Sequence, residues 1–136
     1  MVLPSFFSAS RSSGIILLVG ASLTLVGHLS EMLRRVGYAV AFASEPSEWQ
    51  HILTSCDVAI LVDSRPFWFS CRIFDICAAI RHDSSDIPII VVGPNNLESK
   101  VRLFKIGADD YLLDAVDQKE FLARIRALIR RRAQKG

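Results

Sequence analysis

Five short apolar runs, rich in β-branched side chains, recur along the chain and predict five β-strands. They lie at residues 15–19, 38–43, 58–62, 89–92 and 111–113. The first, third and fourth runs are apolar at every position. Strands of that kind are typical of a parallel sheet whose two faces are both covered by helices.

Between these runs, apolar residues repeat with the 3.6-residue period of an amphipathic helix. The pattern predicts helices at residues 25–36, 47–53, 73–80, 97–106 and 121–129. Five alternations of strand and helix predict an α/β fold, a doubly wound five-stranded parallel sheet of the CheY-like or flavodoxin-like (βα)5 type with strand order 2-1-3-4-5. Functional sites in such folds lie at the carboxyl ends of the strands.

The composition, with 51% hydrophobic and 22% charged residues in a chain of 136, fits one globular domain. We expect a flexible leader at residues 1–13, the folded domain at residues 14–132, and a tail or the start of a linker at residues 133–136. The apolar run at residues 14–27 is shorter than the roughly 20 residues that span a bilayer. It therefore indicates a buried strand rather than a membrane or export segment.

The three cysteines form no CxxC pair and have no histidine at metal-binding spacing. We therefore expect no metal, no cofactor and no disulfide, and a reducing cytoplasm as the location. Six of the 16 Lys and Arg residues lie between Arg124 and Lys135. A solvated helix end explains this charge best, and contact with nucleic acid is the alternative.

The segment KIGADDYLLDAVDQKEFLARIRALIRRR at residues 105–132 resembles the end of receiver domains from the OmpR/PhoB subfamily of response regulators. The motifs GYAV, DVAILV followed by Pro66, and IPIIVV match the same family in the same order. The likeness covers about residues 14–132. It implies a protein of two-component signal transduction that regulates transcription.

The resemblance implies five site positions: two acids that hold Mg²⁺, a phosphoacceptor aspartate, a Thr or Ser, and a Lys. In this chain they hold Gly20, Ala21, Val62, Gly93 and Asp114. Neither Gly nor Ala offers a side-chain oxygen to a metal, and an acid at the lysine position would repel a phosphoaspartate. The sequence therefore predicts a degenerate receiver, or pseudo-receiver, that is not phosphorylated and is not an enzyme.

Asp63 is the acid nearest to the missing phosphoacceptor. Counting four residues back from Pro66 and five forward from Asp57 leads in both cases to Val62. Because strand side chains alternate between faces, Asp63 is expected to point away from the site unless the strand bulges. A capping or hydrogen-bonding role in the next loop is favoured, and residual phosphotransfer through Asp63 is the alternative.

The resemblance also implies a self-pairing face formed by the fourth helix, the fifth strand and the fifth helix. The charged positions of that face are all present, at Lys100, Asp109, Asp110, Glu120, Arg124 and Arg131. Glu120, Arg124 and Arg131 also share one helical stripe by spacing alone. We predict a homodimer through this face that needs no phosphate, with solvated surface charges as the alternative.

Aromatic residues mark two further positions. Tyr111 lies at the family's switch-aromatic position, and its pose is left open by the sequence. Phe67, Trp68 and Phe69 replace the glycine-bearing turn that the family has after Pro66. Three roles stay open for them: filling the vacated pocket, contacting a protein partner, or lining a small-molecule site.

Taken together, these features predict a phosphorylation-independent receiver domain that acts as a dimerisation or protein-interaction module in transcription regulation. DNA is expected to be contacted only through an effector domain outside this chain, and no membrane contact is expected. The alternative function is small-molecule sensing in the vacated phosphorylation pocket. Whether the chain is one domain of a longer regulator or stands alone is left open.

Overall fold

The computed structural model describes residues 14–20, 23–43, 46–63, 70–84 and 86–135, so the predicted leader at residues 1–13 lies outside the described residues. The strands are Gly14–Val19 (β1), Tyr38–Ala43 (β2), Val58–Val62 (β3), Ile89–Gly93 (β4) and Asp110–Leu113 (β5). The helices are Leu23–Arg35 (α1), Pro46–Trp49 (α2), Ser70–Asp83 (α3), Leu97–Ile106 (α4) and Gln118–Lys135 (α5). A 3₁₀ turn, Leu53–Ser55, follows α2.

The strands form a five-stranded sheet in the order β2-β1-β3-β4-β5, and every neighbouring pair is parallel. The predicted fold class and strand order are therefore confirmed. In the register, Val19 lies beside Leu61, Val62 beside Val92, and Gly93 beside Leu113. The carboxyl ends of the strands consequently meet along one edge, which we call the carboxyl edge.

Apolar side chains cover both faces of the sheet, as the unbroken apolar runs predict. On one face, α1 and α5 pack against β1, β3 and β4 through Leu29, Leu33 and Phe121. On the other face, α2, α3 and α4 contribute Trp49, Cys77 and Leu103 among others. All residues of β3 and β4 are buried, which places the centre of the core in these two strands.

Local signals fix the ends of the last two helices. Asn96 caps α4 by accepting a hydrogen bond from the backbone nitrogen of Ser99 at 3.0 Å, and Gly107 ends that helix with a φ of 141°. Asp117 accepts a hydrogen bond from the backbone nitrogen of Glu120 at the start of α5. Helix α5 continues to Lys135, so the predicted domain end at residue 132 is not the end of the helix.

Candidate functional site

Gly20 follows β1 at the carboxyl edge and has no space beside it for a side chain. A β-carbon on Gly20 would lie 2.8 Å from Cβ of Val62 and 3.0 Å from Cγ2 of Val26. Both valines belong to the apolar cluster under α1 and α5. Aliphatic carbon therefore fills the place where the family resemblance puts the first metal-binding acid. Ala21, the second such position, lies outside the described residues.

Asp63 is the one buried acid at the carboxyl edge among the described residues, with 5% of its surface exposed. Its backbone nitrogen donates a hydrogen bond to the carbonyl oxygen of Val92 at 2.8 Å, so the ladder between β3 and β4 continues through Asp63 without a bulge. The Asp63 side chain lies next to Gly93, because a β-carbon on Gly93 would be 3.0 Å from Cβ of Asp63. Val62 packs instead under α1 and α5, on the opposite face of the sheet.

Tyr111 is buried in the cluster under α2, α3 and α4 and points toward Gly93. Its hydroxyl donates a hydrogen bond to the carbonyl oxygen of Pro94 at 2.6 Å. A β-carbon on Gly93 would lie only 2.7 Å from that hydroxyl oxygen. The inward pose of Tyr111 therefore needs a glycine at position 93, where the resemblance implies a hydroxyl-bearing residue.

Asp114 lies at the position where the resemblance implies a lysine, and it is exposed after β5. Its backbone nitrogen donates to the carbonyl oxygen of Gly93 at 2.8 Å, which places Asp114 at the carboxyl edge. In the part of the chain that is described, no group of three His, Cys, Asp or Glu side chains is arranged to hold a metal ion. Phe67, Trp68 and Phe69, for which the sequence leaves three roles open, lie outside the described residues.

Arg124 connects β5 to α5 at the predicted self-pairing face. Its Nη1 atom donates to both carboxylate oxygens of Asp110 at 2.9 Å, and its Nη2 atom donates to Glu120 at 3.1 Å. The hydrogen bonds and charge of Asp110, followed by those of Glu120, raise the pKa of the Arg124 guanidinium. Three of the six predicted interface residues thus form one network within a single chain.

Asp109, the chain neighbour of Asp110, has a different set of partners. It accepts hydrogen bonds from the backbone nitrogen of Ile89 at 2.8 Å and from Nη2 of Arg81 at 3.1 Å. Arg131 approaches Asp109 at 3.8 Å, which is an ion pair too long for a hydrogen bond. Asp109 is therefore fixed mainly by α3 and β4, a contact that the sequence analysis did not identify.

Arg81 has a tightly defined position beside Gly107. It donates to the carbonyl oxygens of Ile87 at 2.8 Å and Gly107 at 2.6 Å. A β-carbon on Gly107 would lie 2.9 Å from Nε of Arg81. Gly107 thus ends α4 and also leaves the space that lets Arg81 reach Asp109.

Helix α4 exposes apolar side chains beside Lys100, whose Nζ atom lies 6.0 Å from the centre of the Tyr111 ring. Leu97, with 73% of its surface exposed, forms a stripe with Val101 and Phe104, and Leu113 is exposed at the end of the neighbouring β5. We call Leu97, Val101 and Phe104 the α4 stripe. This surface was not predicted from the sequence, although its i, i+4, i+7 spacing follows the helical period.

The chain matches no protein-family profile, but it is similar in sequence to curated response regulators. Over 61 residues it is 41% identical to the DNA-binding dual master transcriptional regulator RpaA of Synechocystis. This match covers 43% of this chain and 25% of that protein. Over 61 residues it is also 43% identical to the response regulator ArlR of Staphylococcus aureus. That match covers 45% of this chain and 28% of that protein. The matches thus span about a quarter of these relatives' length.

A receiver domain protein (CheY-like) from Methanospirillum hungatei JF-1 has a similar structure, with a TM-score of 0.76 and 20% identity. The match covers 90% of this chain and 98% of that one. The fold is that of response-regulator receiver domains, and the sequence matches are to response regulators. The chain thus has the receiver (CheY-like) fold, and part of its sequence is similar to response regulators. Among its described residues, no helix is both long and apolar enough to cross a membrane.

Proposed function

We propose that this receiver domain, of OmpR/PhoB type, works without phosphorylation as a self-pairing module of a transcription regulator and is not an enzyme. The observation that carries the proposal is the packing of the carboxyl edge. Val62 and Val26 take the space beside Gly20, and the Tyr111 hydroxyl takes the space beside Gly93. Phosphoryl transfer to an aspartate needs a metal and cationic or hydroxyl groups at these places.

Asp63 is a poor substitute for the missing phosphoacceptor. Its side chain is buried on the sheet face opposite to Val62, whereas an acceptor oxygen must be open to a phosphodonor. A phosphoryl group would also add a charge of about −1.5 to −2, which needs a cationic partner. The lysine position holds the exposed acid Asp114 instead.

Self-pairing is proposed through α4, β5 and α5. The α4 stripe and Leu113 expose large apolar side chains, and burying one such side chain contributes about 1.5–3 kcal/mol. Exposed ion pairs contribute about 0–1 kcal/mol each, so the apolar contacts would supply most of the affinity. The Asp110, Glu120 and Arg124 network would set the relative orientation of the two copies.

The cellular setting is proposed from the relatives. RpaA is described as a DNA-binding transcriptional regulator. In a protein of that kind, this domain would bring two DNA-binding effector domains together in the cytoplasm, without a phosphate signal. The domain itself would then contact protein rather than DNA.

Small-molecule sensing in the vacated phosphorylation pocket has less support. The described residues of that pocket, Val26, Val62 and Tyr111, pack against the two glycines and leave little space at these positions. Residues 67–69, which the sequence analysis gives as possible lining of a small-molecule site, lie outside the described part of the chain. We therefore keep self-pairing as the proposed function.

Sedimentation equilibrium of the untreated protein tests the proposal, with Val101→Asp as the interface variant and Val36→Asp as the matched control. Val36 is also an exposed apolar residue, but it lies between α1 and β2 at the far edge of the sheet. We expect the wild type and Val36→Asp to be dimers and Val101→Asp to be a monomer. A wild-type monomer at all concentrations, or dimerisation only after treatment with Mg²⁺ and a small phosphodonor, would overturn the proposal.

A further inference from the structure

Helix α5 is rich in Lys and Arg, and the folded chain divides these side chains into two groups. The first group consists of arginines that each approach an aspartate elsewhere in the domain, namely Arg124, Arg131 and Arg132. The second group is exposed and forms no ion pair within the described part of the chain, and it comprises Lys119, Arg126 and Arg130. We call this second group the outer cations.

The outer cations lie on one line along α5, on the side that faces away from the sheet. At about 100° per residue, positions 119, 126 and 130 fall within about 40° of one another around the helix axis. The side of α5 that carries Phe121 and Ile125 lies opposite and is buried. Glu120 and Arg124 of the proposed self-pairing face lie about a third of a turn away. A second copy paired through that face would therefore leave the outer cations open.

Charges of one sign are left uncompensated along this line. Arg126 and Arg130 are one helical turn apart, and like charges at that spacing destabilise a helix slightly. The other exposed positions on the line are uncharged, namely Ala123, Ala133 and Gln134. A surface with cations and no acid attracts a partner that carries several negative charges.

The surroundings of the outer cations distinguish between the possible polyanions. Protein interfaces have an apolar core, but no large apolar side chain of α5 is exposed among the described residues. Helices that bind membrane surfaces bury their apolar side in the lipid, whereas the apolar side of α5 packs against the sheet. Nucleic acid needs neither feature, because release of counterions from its phosphates supplies the affinity.

We infer that the outer cations bind the phosphate backbone of duplex DNA without reading its sequence. Along the helix axis they are spaced by about 10 Å and about 6 Å. Duplex DNA carries one negative charge per about 1.7 Å of its axis, so each cation would find a phosphate. Two of the three are arginines, whose planar guanidinium suits phosphate oxygens. The inference goes beyond the proposed function, in which this domain contacts only protein.

Fluorescence anisotropy of a labelled duplex of about 20 base pairs, titrated with the full chain at several salt concentrations, tests the inference. We expect saturable binding at about 50 mM salt and an affinity about 40-fold lower at about 200 mM, as three phosphate contacts imply. Two duplexes of unrelated sequence should bind equally. The absence of binding at the lower salt concentration, or an affinity that does not depend on salt, would overturn the inference.

A triple variant locates the contact, with Lys119, Arg126 and Arg130 each replaced by Gln. It should lower the affinity at the lower salt concentration at least about tenfold and remove most of the salt dependence. The matched control replaces three exposed cations of α3 and α4 by Gln, namely Arg72, Arg102 and Lys105. The control removes the same charge from the other side of the sheet and should bind like the wild type. Equal losses in the two variants would show attraction by net charge alone, and the inference would be wrong.

Two further probes and one further variant separate this inference from its rivals. Tighter binding to anionic phospholipid vesicles or to polyglutamate than to the duplex, lost in the outer-cation variant, would assign the line to a membrane or an acidic protein and overturn the inference. Val101→Asp, which is designed to prevent self-pairing, should keep its affinity for the duplex. Failure of self-pairing and failure of DNA binding therefore give different results.

Discussion

The carboxyl edge and the α4–β5–α5 face lie in the same receiver fold but differ in what surrounds their polar groups. At the carboxyl edge, Gly20 and Gly93 adjoin Val62 and the buried Tyr111, so carbon and a phenol take the space. At the face, Arg124 joins two acids by hydrogen bonds while the neighbouring α4 stripe is open to solvent. Chemistry at a strand end needs a few atoms in fixed places, whereas an interface needs area and charge complementarity.

This difference explains why the fold can form without polar side chains at the carboxyl edge. The valines beside Gly20 extend the apolar cluster under α1 and α5 as far as the ends of the strands. Filling a polar cleft with apolar side chains stabilises the folded chain, because it removes buried polar groups that need partners. The charged groups of the α4–β5–α5 face stay largely in contact with water, so they cost the folded chain little free energy.

Val62→Asp should have the largest effect, because it restores the family's phosphoacceptor type at a position that is now apolar. The new carboxylate would lie among Val26 and other aliphatic side chains without a cation. We expect a loss of about 3–5 kcal/mol in the free energy of unfolding, the usual cost of an uncompensated buried charge. Urea denaturation with and without Mg²⁺ measures it, with Val62→Thr as the control of similar shape. Unchanged stability would mean that the edge is open rather than packed.

Gly93→Thr should have the second-largest effect on stability, since it introduces the hydroxyl that the family resemblance implies at this position. The added β-carbon would approach the Tyr111 hydroxyl oxygen at 2.7 Å and force the ring to move. We expect a loss of about 1–3 kcal/mol in the free energy of unfolding, as for other overpacked cores. Chemical denaturation measures it, and the double variant Gly93→Thr/Tyr111→Ala provides the control. If the two changes add independently, Tyr111 does not take the space beside Gly93.

The strands were predictable from the sequence because burial on both faces leaves an unbroken apolar run, as in β3 and β4. The pose of Tyr111 was not predictable, because it depends on space left by Gly93 on a neighbouring strand. The far end of α5 was missed because residues 130–135 contain no apolar repeat, although Arg, Ala, Gln and Lys all favour helix.

The charged positions of the face were predictable through the family resemblance, but their partners were not. Spacing along α5 indicated the contact between Glu120 and Arg124, which are four residues apart. The contact of Asp109 with Arg81 joins residues 28 positions apart, and only the folded chain brings them together. Residues 67–69, which the sequence analysis predicts to replace the family's turn after Pro66, lie outside the described chain.

The free energy of unfolding should decrease at alkaline pH because of two buried cysteines of the core, and not because of the ion pairs of the α4–β5–α5 face. Burial raises the pKa of the Cys56 thiol to about 12 and that of the Cys77 thiol to about 11, from 9.0 in the unfolded chain. The folded state therefore holds protons that the unfolded state releases. The contribution is fully present below pH 9 and is lost as the pH rises from there to about 11–12.

Urea denaturation at several pH values above 8 measures this slope, and the variants Cys56→Ala and Cys77→Ala serve as controls for it. Each variant should unfold more easily at neutral pH, because it leaves a small cavity, but should show a weaker decrease above pH 9. Equal slopes in wild type and both variants would assign the decrease to other groups. The core would then be excluded as its source.

Arg124→Gln should have the smallest effect on the stability of one chain, because the network at the face is exposed to solvent and screened by salt. We expect a loss of about 0.2–1 kcal/mol in the free energy of unfolding at low salt, and less at high salt. Arg131→Gln is the matched control, since its ion pair with Asp109 is 3.8 Å long whereas the Arg124 bonds to Asp110 are 2.9 Å. Urea denaturation of dilute protein at two salt concentrations measures both. A loss well above 1 kcal/mol for Arg124→Gln would mean that the face, like the carboxyl edge, is part of what holds the fold together, and the contrast between the two regions would fail.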